Sequence, residues 1–450
     1  MDRGLHGLIV AALIVRAAAI FVQAPQLESD PDHYRQLAIN WQPPWGMVHL
    51  DAEGRPQPTA FRPPAYPWLL SWFVSDGQLS VQVIAALHLL AAAITLWGTA
   101  WLAQRLAVDP RCAIALVGLD PILIAQQSQV MTETLAAAAT VVIWWAWCCM
   151  LDAIDRSSLR SVAFRSAVLG LILVAAHLLR PTFAPVAGLL LVAGCGTVLT
   201  LVRTDRSVRA GRWWVSVCVL AAVLLVGIGL WMHRNRRWSG TPIWATTHGG
   251  YTLLLANNPV LFEDLRQQWH PGWTWEPQRF HDAWARRSSG DPRRAEFWSS
   301  PDQSRATSQY EVARTELGDD RLARDAAVAA IRRDPALTIA AAGLREFWLW
   351  GLWPQQAPGL VKAAVGLWYA MVYGLTVGAF RRRGWRELVG PAWWVGGAVV
   401  AALVTIHFFY WSNLRMRAPA IPVLSLLAAA ALPRSARRPS EKGQASSVRI

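Results

Sequence analysis

The twenty residues 213–232, WWVSVCVLAAVLLVGIGLWM, contain no charged side chain. Wound as an α-helix at about 1.5 Å per residue they reach about 30 Å, the thickness of a bilayer's hydrocarbon core, with every backbone polar group paired inside the helix. Runs of the same kind recur on both sides. Apolar spans are expected at about 4–23, 79–102, 111–127, 131–151, 162–179, 183–202, 213–232, 357–380, 391–411 and 417–433. The chain therefore reads as an all-α polytopic membrane protein, a bundle of about ten transmembrane helices with an insertion outside the bilayer. Composition agrees, with 54% hydrophobic and only 16% charged residues and a mean hydropathy of +0.26.

The formal charge of +14 would suggest nucleic acid in a soluble chain, but here the arginines cluster between apolar spans, where they set orientation and meet anionic headgroups. No nucleic-acid partner is expected. Cys112, Cys148, Cys149, Cys195 and Cys218 all lie in or beside apolar spans, so no disulfide framework is read. Taking the N-terminus as cytoplasmic, the inner connections collect Arg105 and Arg111, the 156–165 and 203–212 arginines, Arg381 to Arg383, and a polar basic tail at 434–450. This is the positive-inside pattern, and it predicts a multi-pass protein of the cell membrane with both termini cytoplasmic. Arg16 interrupts the first apolar run, which reads as an uncleaved anchor.

Four regions follow: 1–232, an N-terminal membrane region with a first outer loop at 24–65; 233–350, an extracytoplasmic insertion; 351–433, the C-terminal helices; and the tail. Within the insertion, 305–334 reads as one or two amphipathic helices, with Tyr310, Val312 and Ala313 on its early apolar face; 263–304 shows no clear period. The tail reads as disordered.

Chemistry-bearing residues gather at the outer ends of the spans. Asp30 and Asp32 precede a short amphipathic stretch at 34–41 that opens with Tyr34. A carboxylate there either caps the helix or accepts a proton from an incoming hydroxyl, and spacing does not choose between them. Arg62-Pro63-Pro64-Ala65-Tyr66-Pro67 leads into an apolar piece too short to span. Such a piece dips in and turns only where protein or a wet cavity surrounds it; otherwise it is a proline-stiffened loop. Glu133 starts the fourth span, where a carboxylate suits the helix dipole as well as chemistry. Arg180-Pro181 and the pair Arg415 and Arg417 are cations suited to a phosphate or to lipid headgroups. Tyr251 and Asn257 lie in a glycine turn, apolar element and Asn-Asn-Pro turn that either roofs a site or is ordinary turn chemistry. Trp269, Trp273, Trp275, Trp284 and Trp298 suit sugar stacking or an interfacial belt. No nucleotide-binding loop, zinc-ligand pair or hydrolase elbow is present.

In order along the chain, Asp30 four residues before Tyr34, Arg-Pro-Pro-x-Tyr-Pro, Thr132-Glu133, Leu179-Arg180-Pro181, Gly250-Tyr251 with Asn257-Asn258-Pro259, and Arg415-Met416-Arg417-Ala418-Pro419-Ala420-Ile421-Pro422 resemble the GT-C glycosyltransferases of the protein O-mannosyltransferase and aminoarabinose-transferase type. The resemblance covers most of the membrane region and little of 263–340. It implies inverting transfer of a sugar from a polyprenyl-phosphate donor to an outward-facing lipid, glycan or protein, with Asp30 as the catalytic carboxylate. On that reading Asp32, Tyr34, Arg62, Glu133, Arg180, Tyr251, Asn257, Arg415 and Arg417 are the expected substrate-binding residues, with Arg180, Arg415 and Arg417 on the phosphate, Arg62 ordering the first loop and Tyr34 positioning the acidic segment. Two departures stand out. Pro31 stands where the family has a second acid, which is either missing or replaced by Asp32; this leaves a divalent cation open and no metal ligand assigned, and Met416 replaces a tyrosine between the terminal arginines. The rival reading is a lipid-linked-sugar flippase without transferase activity; such transporters tend to show repeated halves, which are not found here.

Overall fold

The computed structural model describes residues 3–433 except 52, 271, 272, 274, 288, 289 and 300–314. The tail and the early part of the predicted helix at 305–334, with Tyr310, Val312 and Ala313, lie outside the described residues.

Helix α1 (Arg3–Val22) leads to a first loop holding α2 (Tyr34–Ile39), a two-stranded antiparallel ribbon of β1 (Val48–Leu50) and β2 (Pro56–Pro58), and α3 (Ala65–Ser71). In the ribbon Val48 pairs with Pro58, His49 with Gln57 and Leu50 with Pro56. Next come α4 (Val81–Arg105), α5 (Pro110–Gly118), α6 (Pro121–Gln126), α7 (Glu133–Arg156), α8 (Leu159–Leu179), α9 (Phe183–Arg203) and α10 (Ser207–Ser239). The insertion carries α11 (Gly249–Ala256), α12 (Pro259–Gln268), α13 (Gln278–Ala285), α14 (Ala295–Ser299), α15 (Glu316–Arg333) and α16 (Pro335–Trp350). The chain closes with α17 (Gly359–Arg383), α18 (Trp385–Leu388), α19 (Trp394–Phe409), a 3-10 segment (Leu414–Ala420) and α20 (Ile421–Ala430).

Among the described residues eight helices are long and apolar enough to cross a membrane: α1, α4, α7 to α10, α17 and the segment Pro391–Phe409. Their outward faces leave Phe21, Leu225, Leu360 and Leu367 exposed, as side chains in contact with lipid should be. α7 is the most buried of the eight. Its Trp144 and Trp147 donate to the carbonyls of Ala392 and Pro391 at 2.7 and 2.8 Å, fixing the start of α19.

The spans expected at 111–127 and 417–433 are each built of shorter pieces. Asp120-Pro121 breaks the first, because proline lacks an N–H and Asp120 caps the restart by accepting from Ile122 and Leu123 N–H at 3.0 Å. The carbonyls left at the end of α5 are taken by buried Arg16 of α1, whose Nη2 donates to Val117 at 2.7 Å and Nε to Gly118 at 3.1 Å. A charge inside the first span is thus spent on backbone freed by a break in the third. The second broken span begins with the 3-10 segment containing Pro419, followed by Pro422 at the start of α20.

The insertion has its own core. Leu261, Phe280, Ala323 and Ala327 are fully buried in it together with Trp275, Trp284 and Trp298. Those three tryptophans therefore serve packing, neither a sugar platform nor a belt; Trp269 is exposed. Buried Arg345 of α16 joins this core to the membrane region, its Nη1 donating to Ala256 at 2.6 Å and its Nε to His407 at 3.2 Å. One guanidinium thereby serves carbonyls near the ends of two helices, α11 and α19, where orphan acceptors accumulate. Glu316 ties α15 to the first loop, accepting from Thr59 Oγ1 at 2.6 Å, Ala60 N–H at 3.0 Å and Thr247 Oγ1.

Candidate active site

Where the first loop, the insertion and the ends of α7, α8 and α19 meet, they enclose a cavity of about 360 Å³. Three of its walls carry charge or polar groups.

The first wall is the acidic segment of the loop. Asp30 Oδ2 accepts from Gln36 N–H at 2.9 Å, satisfying an amide in the first turn of α2. Its Oδ1 is shielded from solvent without a hydrogen-bond partner among the described residues, and Asp30 does not line the cavity. Asp32 does. Its Oδ1 accepts from Arg62 Nη2 at 2.8 Å and its main-chain oxygen from Arg62 Nε at 3.0 Å, so one guanidinium holds both ends of the residue. Arg62 lies 4.8 Å over the Phe61 ring. Tyr34 is buried beside the pair, and burial pushes its hydroxyl up to about 12, so it stays a protonated donor. It packs edge-on against Tyr66 of α3 at 5.2 Å. Tyr66 in turn donates to His88 Nε2 at 2.8 Å, whose Nδ1 bonds Gln127 O at 2.7 Å. The tyrosine of the Arg-Pro-Pro-x-Tyr-Pro run thus anchors α3 to α4 and to the end of α6.

The second wall is cationic. Proline at 181 cannot continue α8 and drives the residue before it into the extended region. Arg180 accordingly has φ −154° and ψ 117°. Glu133, at the first turn of α7, lies between two guanidiniums: its Oε1 is 3.5 Å from Arg180 Nη1 and 3.8 Å from Arg415 Nε. Neither contact is a hydrogen bond, and those two nitrogens have no hydrogen-bond acceptor among the described residues. Arg180 Nη2 instead donates to Met416 Sδ at 2.8 Å and Arg415 Nη1 to Met131 Sδ. Thioether sulfur is a weak acceptor, so both cations have donors that a stronger acceptor would take. Met416 is that soft partner for Arg180.

The third wall is the roof. His248, Tyr251 and Thr252 come from the start of α11. A Cβ on Gly250 would stand 2.0 Å from the Asp320 carbonyl of α15, so only glycine allows this approach, sealed by Gly250 N–H donating to Asp320 Oδ1 at 2.6 Å. Burial and the nearby Arg62 guanidinium lower His248 to about 3, leaving it neutral. Tyr251 pairs with His281 Nδ1 at 3.0 Å, and burial raises its hydroxyl. Arg62, Arg180 and Arg415 against Asp32 and Glu133 leave the lining one positive charge in excess. That donor set fits an anion. Each of the two carboxylates already faces a guanidinium, so the described lining residues themselves offer no free acidic ligand pair.

No protein-family model matches the chain, and no curated protein matches it. Among solved structures it is similar to the crystal structure of ArnT from Cupriavidus metallidurans bound to undecaprenyl phosphate, at 16% identity over 96% of this chain and 78% of that one, with a TM-score of 0.39. The apo state of the same protein gives 15% identity over 95% and 77%, with a TM-score of 0.37. An overlap this loose assigns no family.

Of the residues expected at a site, the cavity brings together Asp32, Tyr34, Arg62, Glu133, Arg180, Tyr251 and Arg415. Three stand apart. Asp30 holds the Gln36 amide through Oδ2, and its buried Oδ1 is left without a partner among the described residues. Asn257 is fully buried and anchors α11 to α19, its Nδ2 donating to Leu253 O at 2.9 Å and Phe409 O at 2.8 Å. Arg417 is also fully buried, two residues past Arg415 but outside the cavity. It donates to Gly351 O at 2.7 Å and to Tyr373 Oη at 2.8 Å and covers the Tyr369 ring at 3.7 Å, while Tyr369 donates to Asp120 Oδ2 at 2.8 Å. These contacts seat the 3-10 segment that presents Arg415, while Nε and Nη2 of Arg417 have no hydrogen-bond partner among the described residues. Sequence reasoning gave no role to Thr132, Thr246, Thr252, His407 and Tyr410, which share the lining. For His407 a signal existed, a lone histidine inside an apolar span.

Proposed function

We propose that the chain is a membrane glycosyltransferase that moves a sugar from a polyprenyl-phosphate donor to an acceptor hydroxyl in this cavity, on the extracytoplasmic side. The observation that carries the reading is the pair Arg180 and Arg415, whose donors meet, among the described residues, only thioethers and a distant carboxylate, in one cavity with Asp32. Phosphate oxygens are the stronger acceptors that such guanidiniums take, and the same contacts strengthen as charge grows on a leaving phosphate. The order of six short motifs shared with GT-C glycosyltransferases supports the same class.

Asp32, rather than Asp30, is the carboxylate we assign as base. With Oδ1 held by Arg62, Oδ2 takes the acceptor's proton as its oxygen bonds to the anomeric carbon. The bond from that carbon to phosphate breaks on the opposite face, and its electron pair leaves with the phosphate, held by Arg180 and Arg415. One in-line displacement inverts the centre, and a phosphate leaves without a general acid. A positioned base of this kind contributes about 10² to 10⁴ in rate. The arginines at the far ends of α4, α7, α9 and α17 support an extracytoplasmic cavity.

The test is transfer by the purified full chain from a panel of radiolabelled polyprenyl-phosphate sugars. D32N should lower transfer at least about 100-fold while bare polyprenyl phosphate still binds. Unchanged transfer by D32N removes the base assignment, and no transfer by the unaltered chain from any donor removes the reading.

A further inference from the structure

His407 belongs to the last turn of α19 and is buried to 4% exposure, yet the residue lines the cavity beside Ile406 and Tyr410. Its two nitrogens are in different situations. Nδ1 lies 3.0 Å from the Trp411 carbonyl, which only accepts, so Nδ1 carries the proton. Nε2 is buried with no hydrogen-bond partner among the described residues. In the neutral ring Nε2 is then an acceptor, and a buried acceptor left unpaired costs stability unless a ligand or water completes it.

The surroundings hold that nitrogen in place. Arg345 donates to the main-chain carbonyl of His407 at 3.2 Å, and Ser412 Oγ donates to the Arg345 carbonyl at 2.7 Å. Ring and backbone are therefore both fixed at the end of a helix, on elements rather than on a mobile loop. The same cavity holds Arg180 and Arg415, whose donors are matched to oxyanions. A neutral acceptor is the wrong partner for a phosphate and the right one for a hydroxyl.

Resting on the glycosyltransferase reading, we propose that His407 Nε2 accepts a hydrogen bond from one hydroxyl of the donor's sugar ring and so selects which sugar binds. The site thereby divides into a cationic part for the phosphate and a histidine acceptor for the glycosyl group.

The test is binding to the full-length chain in nanodiscs. Probes are bare polyprenyl phosphate, polyprenyl-phosphate mannose and glucose, and their 2-, 3-, 4- and 6-deoxy analogues. One deoxy analogue should bind the unaltered chain about 10- to 100-fold more weakly than its parent. In H407L that gap should close to within about threefold, and H407Q, which keeps an acceptor near the position of Nε2, should restore part of it. Bare polyprenyl phosphate should bind all three proteins alike, which also reports that each variant is folded. A deoxy penalty that persists in H407L, or no sugar preference in the unaltered chain, overturns the assignment of His407 while leaving the phosphate site standing. Failure of bare polyprenyl phosphate to bind the unaltered chain overturns the underlying function and this inference with it.

Discussion

Asp30 and Asp32 stand two residues apart and have separate duties. One accepts from an amide of α2 and the other borders the cavity in the grip of Arg62. Because asparagine keeps an oxygen that can accept from the Gln36 amide, D30N should leave folding and transfer close to normal, whereas D30A should lose about 1 kcal/mol of stability, read as a lower Tm. A collapse of transfer in D30N with D32N unimpaired would return the base to Asp30. Spacing could not separate the two because both readings need the same residue type at the same helix start, whereas the two side chains have different partners. His248 gives a pH prediction. Its native pKa is lowered to about 3 by burial and by Arg62, while an unfolded histidine titrates near about 6.5. Between those values the unfolded chain binds more protons, so this contribution is present above about pH 6.5 and fades as pH falls toward 3. H248Q should flatten the decline of Tm between about pH 6.5 and pH 4; an unchanged decline would place the acid sensitivity elsewhere.

At the level of elements, helix ends and helix breaks decide where the polar groups go. Arg345 serves carbonyls near the ends of both α11 and α19, so R345L should strand several buried acceptors and cost about 3 kcal/mol or more, seen as a marked drop in Tm in detergent. A shift within the error of the measurement would mean that those carbonyls find other donors. The eight continuous spans were legible because about twenty apolar residues without charge admit few other structures in a bilayer. The two broken ones were not, since a hydrophobic window averages over Asp120-Pro121 and over Pro419 and Pro422. What marks a break is the distant cation that satisfies it, Arg16 for the freed carbonyls of α5, and that pairing is more than a hundred residues long in sequence. The Trp-rich piece was illegible for a different reason: tryptophan suits belt, platform and core alike, and only the packing of Trp275, Trp284 and Trp298 against Phe280 and its neighbours chooses the core.

Across the whole molecule, the first loop and the insertion are tied together through Glu316, and the arginine-rich connections lie at the far ends of the spans. If the insertion is extracytoplasmic, a cysteine replacing exposed Gln268 should react with a membrane-impermeant maleimide in intact cells, and one replacing exposed Thr204 should react only after permeabilisation; the reverse pattern would invert the topology. The proposed phosphate site rests on the cavity's excess positive charge. Removing a cation and removing its counter-charge should act in opposite directions on an anionic ligand, which a general loss of structure cannot do. The most direct measurement is the affinity of polyprenyl phosphate for the unaltered chain, R180Q, R415Q and E133Q. The arginine variants are expected to bind about 10-fold or more weakly, and E133Q at least as tightly as the unaltered chain; arginine variants that bind normally, or an E133Q as weak as they are, would contradict a phosphate held between Arg180 and Arg415.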